Sequence, residues 1–123
     1  MKFSLADPGP GPQIQSYGPD YVRVDGKSYR SSLILTPEQV LPDWAPRQVS
    51  DLCAAHLQTL LDLAPQIILL GTGPEQRFPE PDLYNGVLQQ GIGLEIMDTG
   101  AACRTYQVLR SEDRRVVAGF LLG

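Results

Sequence analysis

The chain is poor in the residues that build most reaction centres. It has one histidine, His56, and two cysteines, Cys53 and Cys103, in 123 residues. With no Cys-x-x-Cys and no second histidine, a conventional zinc site has no ligand set, so neither a metal nor a cofactor is expected. The two cysteines are far apart in sequence and no export signal precedes them, so free thiols are expected rather than a structural disulfide. Excess positive charge is also missing: 10 Lys and Arg stand against 14 Asp and Glu, for a formal charge of -4. Neutralising a phosphate backbone needs clustered cations, and the one short cluster, Arg114-Arg115, sits beside two acids. Nucleic acid is thereby excluded as a partner. No apolar run approaches the roughly 20 residues that span a bilayer. The opening MKFSLADPGPGPQ has one lysine, no apolar core and no Arg-rich amphipathic pattern. It reads as neither a signal nor a transit peptide, and a cytoplasmic location is expected.

What remains is an ordinary globular composition, 42% hydrophobic and 20% charged, at a length that suits one domain with a packed interior. The alternating Pro and Gly of DPGPGP deny both helix and ladder hydrogen bonds, so residues 1–13 are expected as a flexible arm and residues 14–123 as the domain. From Ile14 short β signals follow: IQSYG, YVRV, the hairpin pair Asp25-Gly26, and a run through Tyr29 into SLILTP. Pro37, Pro42 and Pro46 make the next segment an irregular connection, with the lone Trp44 plugging one edge of the core. SDLCAAHLQTLLDLAP then reads as an amphipathic helix capped by Ser50 and stopped by Pro65.

After that helix the pattern becomes strand, helix, strand, helix, strand: QIILLGTG, EPDLYNGVLQQG, GLEIMD, AACRTYQVLRSE and RVVAGFLLG. Such alternation signals parallel strands joined by crossover helices, giving an α/β sheet covered on both faces. Ligands of such sheets sit beyond the carboxyl ends of the strands. Two loops qualify, Gly71-Thr72-Gly73 and Asp98-Thr99-Gly100, and parallel neighbouring strands would bring them to one rim.

The chemistry of that rim is open to two readings. Gly71-Thr72-Gly73 lacks the third glycine of a dinucleotide fingerprint and the lysine of a P-loop, which favours a structural turn. Asp98 or Thr99 could cap the following helix and leave the amides of Gly100, Ala101 and Ala102 facing a small anion, with Arg104 supplying charge. Capping alone requires the same residues. Cys103 falls in the first helical turn, where a thiolate is favoured, yet a nucleophile needs a base and His56 lies on another helix. A buried small hydrophobe is the stronger assignment. Glu95 interrupts an apolar strand and calls for a cation such as Arg104, Arg23 or Arg30, with the pair to Arg104 preferred. Rim candidates are therefore Gly71, Thr72, Gly73, Asp98, Thr99, Gly100, Cys103 and Arg104, and no catalytic constellation is complete.

The run GLEIMDTGAACRTYQVL followed by EDRRVVAGFLL resembles the Mth938-like family, a domain of unknown function whose eukaryotic branch includes a mitochondrial complex I assembly factor. YVRVDGKSYRSSLILTP, Trp44 and IILLGTG agree with it, so the resemblance spans Ile14 to Leu122. It implies a three-layer α/β domain around a central mixed sheet, helices on both faces, with the final strand antiparallel. It marks Gly71, Gly73, Glu95, Met97, Asp98, Thr99, Ala102, Cys103, Arg104, Thr105 and Tyr106 as the family-like cluster. Gln107 stands where asparagine is expected, and Asp113 where glycine is. The resemblance carries no reaction. It implies a non-catalytic binding or assembly-factor-like protein with a protein partner. The alternative is a small ligand-binding protein or enzyme using the anion-binding turn and Cys103.

Overall fold

The structure is a computed structural model and describes residues 11–123. Its elements run β1 (Ile14–Gly18), β2 (Tyr21–Val24), β3 (Lys27–Tyr29), β4 (Leu33–Leu35), β5 (Val40–Pro42), α1 (Ala54–Leu61), β6 (Ile67–Gly71), α2 (Pro81–Leu88), β7 (Gly93–Met97), α3 (Thr99–Arg110) and β8 (Val116–Phe120). Of the arm expected over residues 1–13, residues 1–10 lie outside the described residues. Pro12 and Gln13 are engaged: the Tyr106 hydroxyl donates to the Pro12 carbonyl at 3.3 Å, and Gln13 exchanges hydrogen bonds with Asp25.

Two sheets form. β1, β2 and β3 make an antiparallel meander, and the larger sheet has the order β5-β4-β8-β6-β7. The Asp25-Gly26 turn lies where the sequence placed it, with both residues at positive φ, the geometry that tightens a two-residue hairpin. In the large sheet β6 pairs in parallel with both β7 and β8, as crossover helices dictate. The antiparallel pairing expected of the final strand is made with β4; towards β6 the same strand is parallel. The sheet is mixed because β8 stands between its two halves.

Alternation along the strands builds two cores. Leu33, Leu35, Ile67, Leu69, Val116, Ala118 and Phe120 face α3 and the small sheet. Ile34, Ile68, Leu70, Leu94, Ile96 and Val117 face α1, α2 and Trp44. The outcome is three layers with the large sheet in the middle. α3 buries Thr99, Ala102, Cys103 and Tyr106, a spacing of three and four residues that places them on one face.

Two local expectations are corrected. The proline-rich connection contains a strand, β5, because its Pro42 sits at the sheet edge, where a missing N–H costs no ladder bond. The helix expected from Ser50 begins at Ala54. Ser50 lies instead in a turn of 3-10 helix, Val49–Asp51, whose Asp51 carboxylate accepts from the amides of Arg47 and Gln48. Trp44 does plug the core edge: it is 8% exposed, and a Cβ on Gly119 of β8 would lie 2.6 Å from its indole.

Candidate functional site

The parallel register runs from Ile67 opposite Gly93 to Gly71 opposite Met97, so β6 and β7 end level and their loops leave side by side. The expected rim therefore exists, and it is laced shut between the two loops. Thr72 N–H donates to the Met97 carbonyl (2.9 Å), Gly73 N–H to Thr99 Oγ1 (2.9 Å), and Thr99 N–H to the Gly73 carbonyl (2.8 Å). Thr72 Oγ1 lies 2.6 Å from the Glu75 carbonyl and accepts from Arg77 N–H at 3.1 Å, which folds the following loop back over the strand end. Gly71 is buried below, where a Cβ would press on Phe120 and Ala102.

These bonds change what the rim offers. Asp98 caps α3, its Oδ1 accepting from Ala101 N–H at 2.8 Å, while Ala102 N–H goes to the Asp98 carbonyl at 2.9 Å. Two of the three amides expected to face an anion are thus engaged inside the protein. Arg104 does not meet Glu95. Its Nη1 donates to the Tyr17 hydroxyl at 2.8 Å and its guanidinium lies 6.0 Å from the Tyr17 ring. That bond also favours the charged guanidinium, raising its pKa further. The Glu95–Arg104 ion pair is accordingly corrected. β7 is an edge strand, so Glu95 is exposed and water satisfies its carboxylate without a cation. The Tyr17 ring also covers the start of α3, within 3.2 Å of where a Gly100 Cβ would stand.

Cys103 faces the core rather than the rim. It is 0% exposed, and burial pushes its thiol up to about 12, only partly opposed by the Arg104 charge. A buried thiol held protonated supplies no nucleophile at neutral pH. His56 is not its neighbour. The imidazole instead sits with the other cysteine, Nδ1 lying 3.5 Å from Cys53 Sγ.

Open space lies on the other side of the Gly71-Thr72-Gly73 loop. A groove of about 890 Å³ runs between the Val49–Asp51 turn and the 72–80 loop, with Thr72, Gly73, Arg47, Arg77 and Phe78 in its walls and Leu121 in its floor. Phe78 is 58% exposed and its ring lies 6.1 Å from that of Tyr84. Of the rim candidates, Thr72 and Gly73 line this groove; Asp98, Thr99, Gly100 and Arg104 do not. Sequence reasoning missed Arg47, Arg77 and Phe78, which carry no motif spacing. It also missed the pairing of Cys53 with His56, for which a three-residue spacing at a helix start was the available signal. Among the described residues no group of His, Cys, Asp and Glu is arranged to hold a metal.

Comparison with known proteins supplies the relationship. A protein from Francisella tularensis subsp. holarctica, named 13 kDa major membrane protein, is 33% identical over 90 residues, 72% of each chain. NADH dehydrogenase [ubiquinone] 1 alpha subcomplex assembly factor 3 of Danio rerio is 29% identical over 113 residues, covering 90% of this chain but 64% of that protein, so the chain spans just under two thirds of it. The solution structure of a Bordetella pertussis protein described as a Mth938-like domain superposes with a TM-score of 0.80 at 30% identity, over 99% of this chain and 92% of that one. The family described as protein of unknown function (DUF498/DUF598) matches residues 14–121, nearly the whole described chain, and the protein belongs to this Mth938-like family.

Proposed function

We propose that the protein is a non-catalytic assembly-type module that holds a protein partner in the groove at the carboxyl ends of β6 and β8. The observation that carries this reading is the similarity of 90% of the chain to assembly factors of NADH dehydrogenase. The groove supports it. Its walls combine the exposed Phe78 with Arg47 and Arg77, an aromatic and arginine pairing that protein interfaces favour. The buried thiol of Cys103 removes the reactive group on which the enzymatic alternative depended. A small anion at the Asp98 turn has less support, since two of its three amides and Arg104 are engaged within the chain. We place the protein in the cytoplasm on its composition; among the described residues no helix is long and apolar enough to cross a membrane.

The test is comparative capture from native cells, with the wild-type chain beside an Arg77→Glu, Phe78→Ala double variant. Both residues are exposed, so the variant should keep its fold. A reproducible partner retained by the first and reduced about tenfold or more on the second supports the reading. Equal retention by both, or turnover of a small molecule with no partner, overturns it.

A further inference from the structure

We propose that Cys53 is a thiol-modification site at which His56 accepts the thiol proton, the reagent being a low-molecular-weight disulfide such as oxidised glutathione. The inference is independent of the groove's role. Cys53 caps the start of α1 and is exposed, in contrast to Cys103. It does not stand alone, because His56 Nδ1 lies 3.5 Å from its sulfur. The Cys53 N–H donates to the same Nδ1 at 3.2 Å, so this nitrogen carries the lone pair and the neutral ring bears its proton on Nε2. The thiol and the Cys53 N–H therefore share one acceptor, and passing the thiol proton to Nδ1 displaces the N–H bond.

The imidazole is held in place from two further directions. The His56 backbone N–H donates to the Cys53 carbonyl at 3.1 Å, fixing the three-residue spacing. Trp44 meets the ring edge-on, with centroids 6.5 Å apart and planes at 81°. That indole is itself fixed, 8% exposed and wedged against Gly119, and its Nε1 has no hydrogen-bond partner among the described residues. A base whose ring rests on a buried, rigid wall stays aimed at the sulfur. Cys53 is exposed, so a small reagent reaches the thiol from solvent.

The step balances without any further oxidant. The Cys53 S–H proton passes to His56 Nδ1, the sulfur attacks one sulfur of the disulfide, and the reagent's S–S bond breaks as the new one forms. The departing thiolate takes up the proton and leaves as a thiol. Cys53 is oxidised to the mixed disulfide and half of the reagent is reduced.

The experiment incubates the full chain with oxidised glutathione at neutral pH and follows adduct formation by intact mass and peptide mapping. The native protein should gain a single adduct on Cys53 and none on Cys103, at a rate roughly tenfold or more above that of the same thiol in the chain unfolded by guanidinium. His56→Gln keeps a side chain able to cap the helix start and should bring the native rate down to the unfolded one. The idea is overturned if native Cys53 reacts no faster than unfolded Cys53, or if a folded His56→Gln chain, checked by circular dichroism, reacts as fast as wild type. Should His56→Gln fail to fold, the native-to-unfolded ratio of the wild type decides the question by itself.

Discussion

Two buried residues of α3 set how the protein responds to alkali. Cys103 and Tyr106 are each pushed up to about 12 by burial, from ordinary values of 9.0 and 10.0. Below about pH 8 both are protonated, folded or unfolded, and contribute no pH dependence. Above it the unfolded chain releases their protons first, so it binds fewer protons than the native state and stability falls as pH rises towards 12. The limiting slope is about 1.4 kcal/mol per pH unit for each group. Urea titrations should show the wild type losing stability between pH 9 and 11, and Cys103→Ala should lose less over that interval. Equal losses would contradict the thiol's burial. A second residue-scale consequence concerns Gly119. Its missing side chain admits Trp44, since a Cβ there would lie 2.6 Å from the indole. Gly119→Ala should cost about 1–3 kcal/mol by overpacking, and a thermal midpoint unchanged from wild type would show that Trp44 moves aside freely.

Individual elements show what the amino-acid order made legible. The hairpin at Asp25-Gly26, the three parallel strands and the two crossover helices all lie close to where periodicity and turn residues put them. Such signals are local, and local physics produces them. Strand β5 was hidden because three prolines argue against a strand, and only its place at an edge makes Pro42 acceptable. α1 starts later than the sequence suggests because Ser50, a residue that favours helix caps, lies inside a short 3-10 turn whose cap is Gln48. Glu95 is the clearest failure. A carboxylate in LEIM reads as buried, and only the sheet order shows β7 to be an edge. Glu95→Gln should accordingly shift stability by less than about 0.5 kcal/mol, as an exposed residue does, whereas losing one member of a buried ion pair costs about 3–5 kcal/mol. Chemical denaturation separates the two cleanly. Asp113 marks the opposite case. The family-like pattern called for glycine there, and the residue does adopt a left-handed φ of 57°.

At the scale of the whole molecule, the shared rim of the two loops was legible and its chemistry was not. Two level parallel strands must deliver their loops together, but whether the loops face a ligand or each other depends on side chains distant in sequence. Thr72 and Thr99 are 27 positions apart, yet their backbones and hydroxyls bind the two loops into one unit, while Tyr17, from the small sheet, takes Arg104 away from any anion. The groove beyond the rim was invisible for the same reason: its walls come from the β1–β2 turn, the 3-10 turn, the 72–80 loop and the end of β8.

The position of β8 bears on how the chain is made. Among the described residues it is the last strand in sequence and the middle strand of the large sheet, pairing with β4 on one side and β6 on the other. During synthesis the β4–β5 ribbon and the β6–β7 pair emerge first, each with an unpaired edge facing the other. Neither can close the sheet until residues through Phe120 have left the ribosome. Until β8 is available, β4 and β6 each keep an unpaired edge, and this strand acts as the keystone that hides both.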